Sequence, residues 1–178
     1  MMLRSILLLL PMFVLLIWAA IADIRSRKIR NWLTLALAVS GILNSFVTRG
    51  AITPLYSVLG LLIGFAIPFA LFALGALRGG DVKLLAGIGA WMGPVAIVQI
   101  FIVECIVGLV IVLVQCAWQG KLRMLFRNSA VLAINLAHID VLGLKHVTDT
   151  GTSFKSIDRP LPYAVPVLVA TIIVATLI

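Results

Sequence analysis

Residues 82–119 form a run of 38 positions in which only Lys83 and Glu104 are charged. A water-soluble domain cannot place such a run, since an apolar stretch of roughly 18 residues or more reads as a membrane crossing. One crossing needs about 20 residues, so this run is too long for a single pass. Gly93-Pro94 lies inside it and supplies a break, dividing it into a short helix and a second one over about 95–118. Further apolar runs cover about 5–22, 32–48, 55–77 and 160–178. The resulting expectation is an all-α polytopic membrane bundle of about six transmembrane helices. It forms a single domain over 1–178 with a polar loop at about 120–159.

Composition agrees: 63% of residues are hydrophobic and 11% are charged, against roughly half and a quarter in soluble domains. The net charge of +8 does not point to nucleic acid, because no soluble surface is available to carry a basic footprint. The bases instead separate the apolar runs, where they act as topology signals and lipid-headgroup contacts. With six alternating passes, twelve of them fall on one side: Arg25, Arg27, Lys28, Arg30, Arg78, Lys83 and the six in the polar loop. Arg4 and Arg49 fall on the other. The positive-inside rule therefore puts the N-terminus outside and the polar loop in the cytoplasm of a multi-pass inner-membrane protein. Arg4, the first apolar run and Ala20-Ile21-Ala22 mimic a cleaved signal peptide. Four bases follow at once, which argues against export of that flank and against cleavage.

Other features have bland readings. Cys105 and Cys116 lie in apolar sequence, three helical turns apart and outside any C-x-x-C, and are expected to be buried packing residues. His138 and His146 have no matched acid or thiol pair, so no metal site is expected. Positions 121–144 show a helical apolar spacing suited to an interfacial helix.

Chemistry narrows to six acids, three of them in the polar loop. Glu104 is an intramembrane carboxylate and so a functional candidate, either reactive or hydrogen-bonded to a neighbouring helix. Asp23 ends the first span and Asp81 begins the fourth, which puts both at the cytoplasmic boundary. Two carboxylates at one depth can share a proton, one acting as base on water and the other as acid. They can equally be two independent helix caps. Gly79-Gly80 before Asp81 gives the backbone room for an extended peptide, or serves an ordinary turn.

The local motifs resemble those of a known family. The segment from Asp23 through Arg25, Arg27, Lys28 and Ile29 to Asn31 resembles the first motif of the type IV prepilin peptidases, an aspartate followed by bases and Ile-Pro-Asn. Gly80-Asp81-Val82-Lys83-Leu84, with Trp91-Met92-Gly93, resembles their GxGD motif. Leu161-Pro162-Tyr163 resembles the Pro-Tyr segment that opens their last span. Arg30 stands where the family has proline, and Arg78 where GxGD has its first glycine.

The resemblance implies a membrane aspartyl endopeptidase that cleaves the basic leader from prepilins or pseudopilins at the cytoplasmic membrane face. It implies Asp23 and Asp81 as the catalytic pair, with Gly79, Gly80, Lys83 and Asn31 shaping the site. Membrane lipids and the prepilin are the implied partners, with no cofactor and no metal. The paired C-x-x-C segment of larger, methylating members is missing here, so methyltransferase activity is not expected. A reading from another class is a non-enzymatic transporter or pilus-assembly subunit that uses Glu104 or Asp81 as an ion site.

Overall fold

The computed structural model describes residues 2–47, 53–121 and 162–177, with helical positions 123, 127, 130 and 131, and side chains from residue 9 onward. The described residues form five helices and no strand. They are α1 (Met2–Ser26), α2 (Asn31–Val47), α3 (Pro54–Ala73), α4 (Gly79–Trp118) and α5 (Ala164–Leu177). By length and composition α1, α3 and α4 are long and apolar enough to cross a membrane, while α2 and α5 are shorter apolar helices. The polar loop, its interfacial helix and both histidines lie largely or wholly outside the described residues.

Helix ends follow local chemistry. The first helix continues past the expected end at 22 to Ser26. It stops where Arg27 turns to φ 52 and its N–H closes on Asp23 O at 2.8 Å. Asp23 thus lies within the last turns of α1 rather than beyond it. The third helix is shorter than the expected 55–77. It ends at Ala73, and Gly75 at φ 76 lets Ala76 N–H reach Leu71 O and its own N–H reach Phe72 O, both at 2.9 Å. This is a Schellman closure, which favours glycine at the left-handed position. Thr53 and Pro54 open the same helix, the Thr53 hydroxyl accepting from Tyr56 N–H.

The fourth helix holds the bundle together, touching all four others and α3 most extensively. It is not straight. A Cβ built on Gly64 would lie 2.7 Å from Leu85 O and 3.0 Å from Ile97 Cγ1. A straight helix would separate those two levels by about 18 Å. The chain therefore folds back at Gly93, whose φ of 81 and ψ of 176 interrupt the helical backbone. One arm, 79–92, descends along α3, and the other, 94–118, returns. The expected break at Gly93-Pro94 is found at that point.

Against this hairpin α3 presents Ser57, Gly60, Gly64 and Pro68, its only buried positions. Its large apolar side chains, such as Leu55, Leu62 and Phe69, face outward. Small residues at three- and four-residue spacing let backbones meet, which is how helices associate where lipid is as apolar as leucine. The Ser57 hydroxyl donates to Ala90 O at 2.6 Å. Trp91 Nε1 ties the same arm to α2 through Leu37 O at 2.9 Å. Gly60 is the tightest point, where an added Cβ would come within 2.1 Å of Gly89 O. Gly60→Ala is expected to destabilise the bundle by about 1–3 kcal/mol by forcing these backbones apart. A lowered melting temperature of the detergent-purified protein would report it.

One expectation is corrected. Cys116 is buried, but Cys105 is exposed. At that level Glu104 takes the inward face, and its neighbour stands about 100° round the helix.

Candidate active site

Three helix ends converge at one end of the bundle. Asp23 comes from the last turns of α1, and Asp81 from the first turn of α4. Tyr163 immediately precedes α5. Asp23 is 4% exposed and Asp81 is 6% exposed. They line one cavity of about 440 Å³ together with Arg27, Lys28, Arg78, Gly80 and Tyr163.

Each acid is held by backbone. Asp81 Oδ2 accepts the Arg78 N–H at 3.1 Å, which caps its own helix. Asp23 Oδ2 accepts the Ala164 N–H at 3.0 Å, in a buried bond that spans 141 positions of sequence. A helix N-terminus carries partial positive charge and free N–H groups, so it is a natural anchor for a carboxylate. The two acids are therefore both helix caps, but not independent ones, since the capped ends share a cavity. Capping uses one oxygen of each group and leaves the other for different work.

Of the other residues singled out in sequence, Gly80 lines this cavity and Gly79 does not. A Cβ on Gly80 would meet Ile29 at 3.4 Å, so the connector 27–30 lies close over the turn. Lys83 and Asn31 bond to each other, Nζ donating to Oδ1 at 3.1 Å. Both line a neighbouring groove of about 330 Å³ with Thr34, Leu35 and Phe65. Arg78, which also lines the acid cavity, reaches the 27–30 connector, Nη1 donating to Arg27 O at 3.4 Å. Glu104 accepts the Tyr163 hydroxyl through Oε1, which ties the returning arm of α4 to the cavity wall.

Sequence reasoning did not place Tyr163 or the Ala164 N–H in the site. Tyr163 did carry a signal, as part of the Leu161-Pro162-Tyr163 segment that resembles the Pro-Tyr opening of the last span in the prepilin peptidases. A backbone donor carries none, because every residue but proline has one.

Residues 10–113 match the type IV leader peptidase family. The chain belongs to that family. Asp23, Asp81 and Glu104 all fall in the matched part, whereas Tyr163 lies beyond it. Among individual proteins, it is similar to the preflagellin peptidase of Methanococcus voltae, 39% identical over 79 residues that cover 42% of this chain and 34% of that one. The preflagellin peptidase of Methanococcus maripaludis is 41% identical over 81 residues, again 42% and 34% of the two chains. That of Methanocaldococcus jannaschii is 32% identical over 79 residues, 42% and 33%. The chain spans about a third of the length of these curated relatives. No solved structure gives a significant match.

Proposed function

We propose that this chain is a membrane aspartyl endopeptidase that removes the leader from prepilin-type substrates, with Asp23 and Asp81 as its catalytic pair. The observation that carries the reading is the shared cavity. Two buried carboxylates from different helices line it together, and the chain belongs to a family of leader peptidases. Substrates in this class include prepilins, pseudopilins and preflagellins, the last being what the similar archaeal enzymes are named for.

The chemistry follows from charge. Two carboxylates within reach of each other share one proton, since ionising both is costly. The ionised one takes a proton from a water, whose oxygen attacks the scissile carbonyl carbon. The protonated one donates to the carbonyl oxygen. Collapse of the tetrahedral intermediate breaks the C–N bond: the leaving amine takes the proton held by the base, and one hydroxyl of the intermediate returns its proton to the acid, restoring the pair. Water must reach this point at membrane depth, and a cavity walled by protein is where non-helical backbone and water are tolerated there.

In this reading each arm of α4 crosses the membrane separately, which makes six passes together with α1, α2, α3 and α5. The positive-inside rule, applied to the basic connector 27–30 and Arg78, supports an acid cavity at the cytoplasmic face and an N-terminus outside. The scissile bond of a substrate helix lying in the bilayer would meet the cavity near the headgroups. Lys83 and Asn31, in the adjoining groove, are positioned to shape the site rather than to react.

The test is co-expression with a candidate prepilin or preflagellin, following leader loss by gel mobility. A faster-migrating product that depends on this chain is the expected result. Accessibility labelling that found Asp23 and Asp81 on opposite sides of the membrane would overturn the reading.

A further inference from the structure

We propose that Tyr163 and Glu104 form a positioning unit for the acid pair: α4 carries Asp81 directly and, through the Glu104–Tyr163 hydrogen bond, sets the backbone N–H that holds Asp23. The proposal rests on the peptidase reading for its consequence in catalysis, but not for its geometry.

The argument begins with the bond from Ala164 N–H to Asp23 Oδ2. Asp23 has this one hydrogen bond among the described residues, and Ala164 is fully buried. Where the N–H points depends on the turn that opens α5. That turn closes on itself weakly, through Val165 N–H to Pro162 O at 3.3 Å and Val167 N–H to Tyr163 O at 3.5 Å. Its firm attachment is the Tyr163 hydroxyl, donated to Glu104 across 59 positions of sequence. Glu104 is 3% exposed and sits on the returning arm of α4. The reversal at Gly93 is what brings that arm back to the level of Asp81. One helix therefore sets both acids, and a shift of the α5 turn relative to α4 would move Asp23 away from Asp81.

Displacements of about 1 Å in a catalytic constellation can cost about a hundred-fold in rate. Neither Tyr163 nor Glu104 needs to touch the scissile bond for the unit to matter. Glu104 Oε2 has no partner among the described residues. Glu104→Gln can therefore keep an oxygen acceptor for Tyr163, and its new amide N–H₂ replaces an oxygen that no protein donor was using. That makes glutamine the rescue variant.

The test uses the full chain in detergent and in proteoliposomes, with two readouts. Carbodiimide modification of Asp23, read by peptide mass spectrometry, needs no substrate. Leader cleavage gives kcat and KM. Tyr163→Phe deletes only the hydroxyl. It is expected to raise Asp23 modification about five-fold, the equivalent of one hydrogen bond. It should lower kcat about ten-fold with KM nearly unchanged, as expected when geometry and not binding is lost. Glu104→Ala should match it, the double variant should be no worse than either, and Glu104→Gln should recover most of the loss in both readouts. Unchanged Asp23 modification in Tyr163→Phe overturns the unit. So do losses that multiply in the double variant, or a glutamine variant as impaired as alanine. If modification rises as stated while the parent chain cleaves no leader, the positioning unit stands and the peptidase reading fails. If modification is unchanged while cleavage proceeds, the opposite holds.

Discussion

Asp81→Asn and Asp23→Asn are each expected to lower leader cleavage by roughly a thousand-fold, the scale on which a positioned acid or base contributes, without unfolding the protein. The structure makes asparagine the informative choice. Both acids act as helix caps, Asp81 through Arg78 N–H and Asp23 through Ala164 N–H. The amide oxygen of asparagine can accept the same bond, and asparagine ranks with aspartate as a cap. What it cannot do is hold or release a proton. Alanine removes both functions, and loss of a cap costs about 1 kcal/mol. Two readings then separate. If the acids serve only as caps, the asparagine variants keep full activity and the alanine variants melt at lower temperature. If they are the catalytic pair, all four variants lose cleavage, and only the alanine variants also lose stability. Gel mobility of a co-expressed substrate and thermal melts of the purified proteins measure the two axes independently. Normal cleavage by either asparagine variant would remove that residue from the catalytic role.

The same pair shows what a membrane sequence reveals and what it hides. Apolar length places helices well: the expected run 32–48 and the observed α2, Asn31–Val47, differ by one residue at each end. The Gly93-Pro94 break was legible because no continuous helix accommodates that backbone. Charge placement put Asp23 and Asp81 at one end of the bundle, and one cavity there holds both.

Faces were harder to read. In a soluble helix the apolar stripe marks the core, but in α3 both sides are apolar and the core side is marked by small residues. A hydropathy pattern cannot separate Gly60, packed on backbone, from Leu62, facing outward. Contacts between distant segments were also invisible. Glu104 stood out as an intramembrane acid, and nothing in its neighbourhood pointed to Tyr163. The Ala164 N–H that holds Asp23 has no side-chain signature at all.

The reversal at Gly93 carries the second large effect, because both acids depend on it through α4. Gly93→Val is expected to prevent the hairpin from forming. At φ 81 and ψ 176 the backbone lies in a region essentially confined to glycine, where another residue costs of order 1–3 kcal/mol. A Cβ there would also meet the Tyr56 ring at 2.7 Å, adding overpacking of about 1–3 kcal/mol. The sum is a large part of the roughly 5–15 kcal/mol that holds a typical domain together. A branched side chain adds stiffness at χ1, so the ring cannot be avoided by rotation alone. Valine is also an excellent lipid-facing residue, so the change leaves hydropathy favourable and acts through conformation. Val95→Ala, two positions on at an exposed site, is the matched control and should behave as the parent. Fluorescence-detected size exclusion from solubilised membranes reports the outcome. A Gly93→Val protein that elutes as one sharp, thermally normal peak would mean that α4 does not reverse there. The returning arm would then carry Glu104 away from Tyr163, and the account of how Asp23 is held would fall with it.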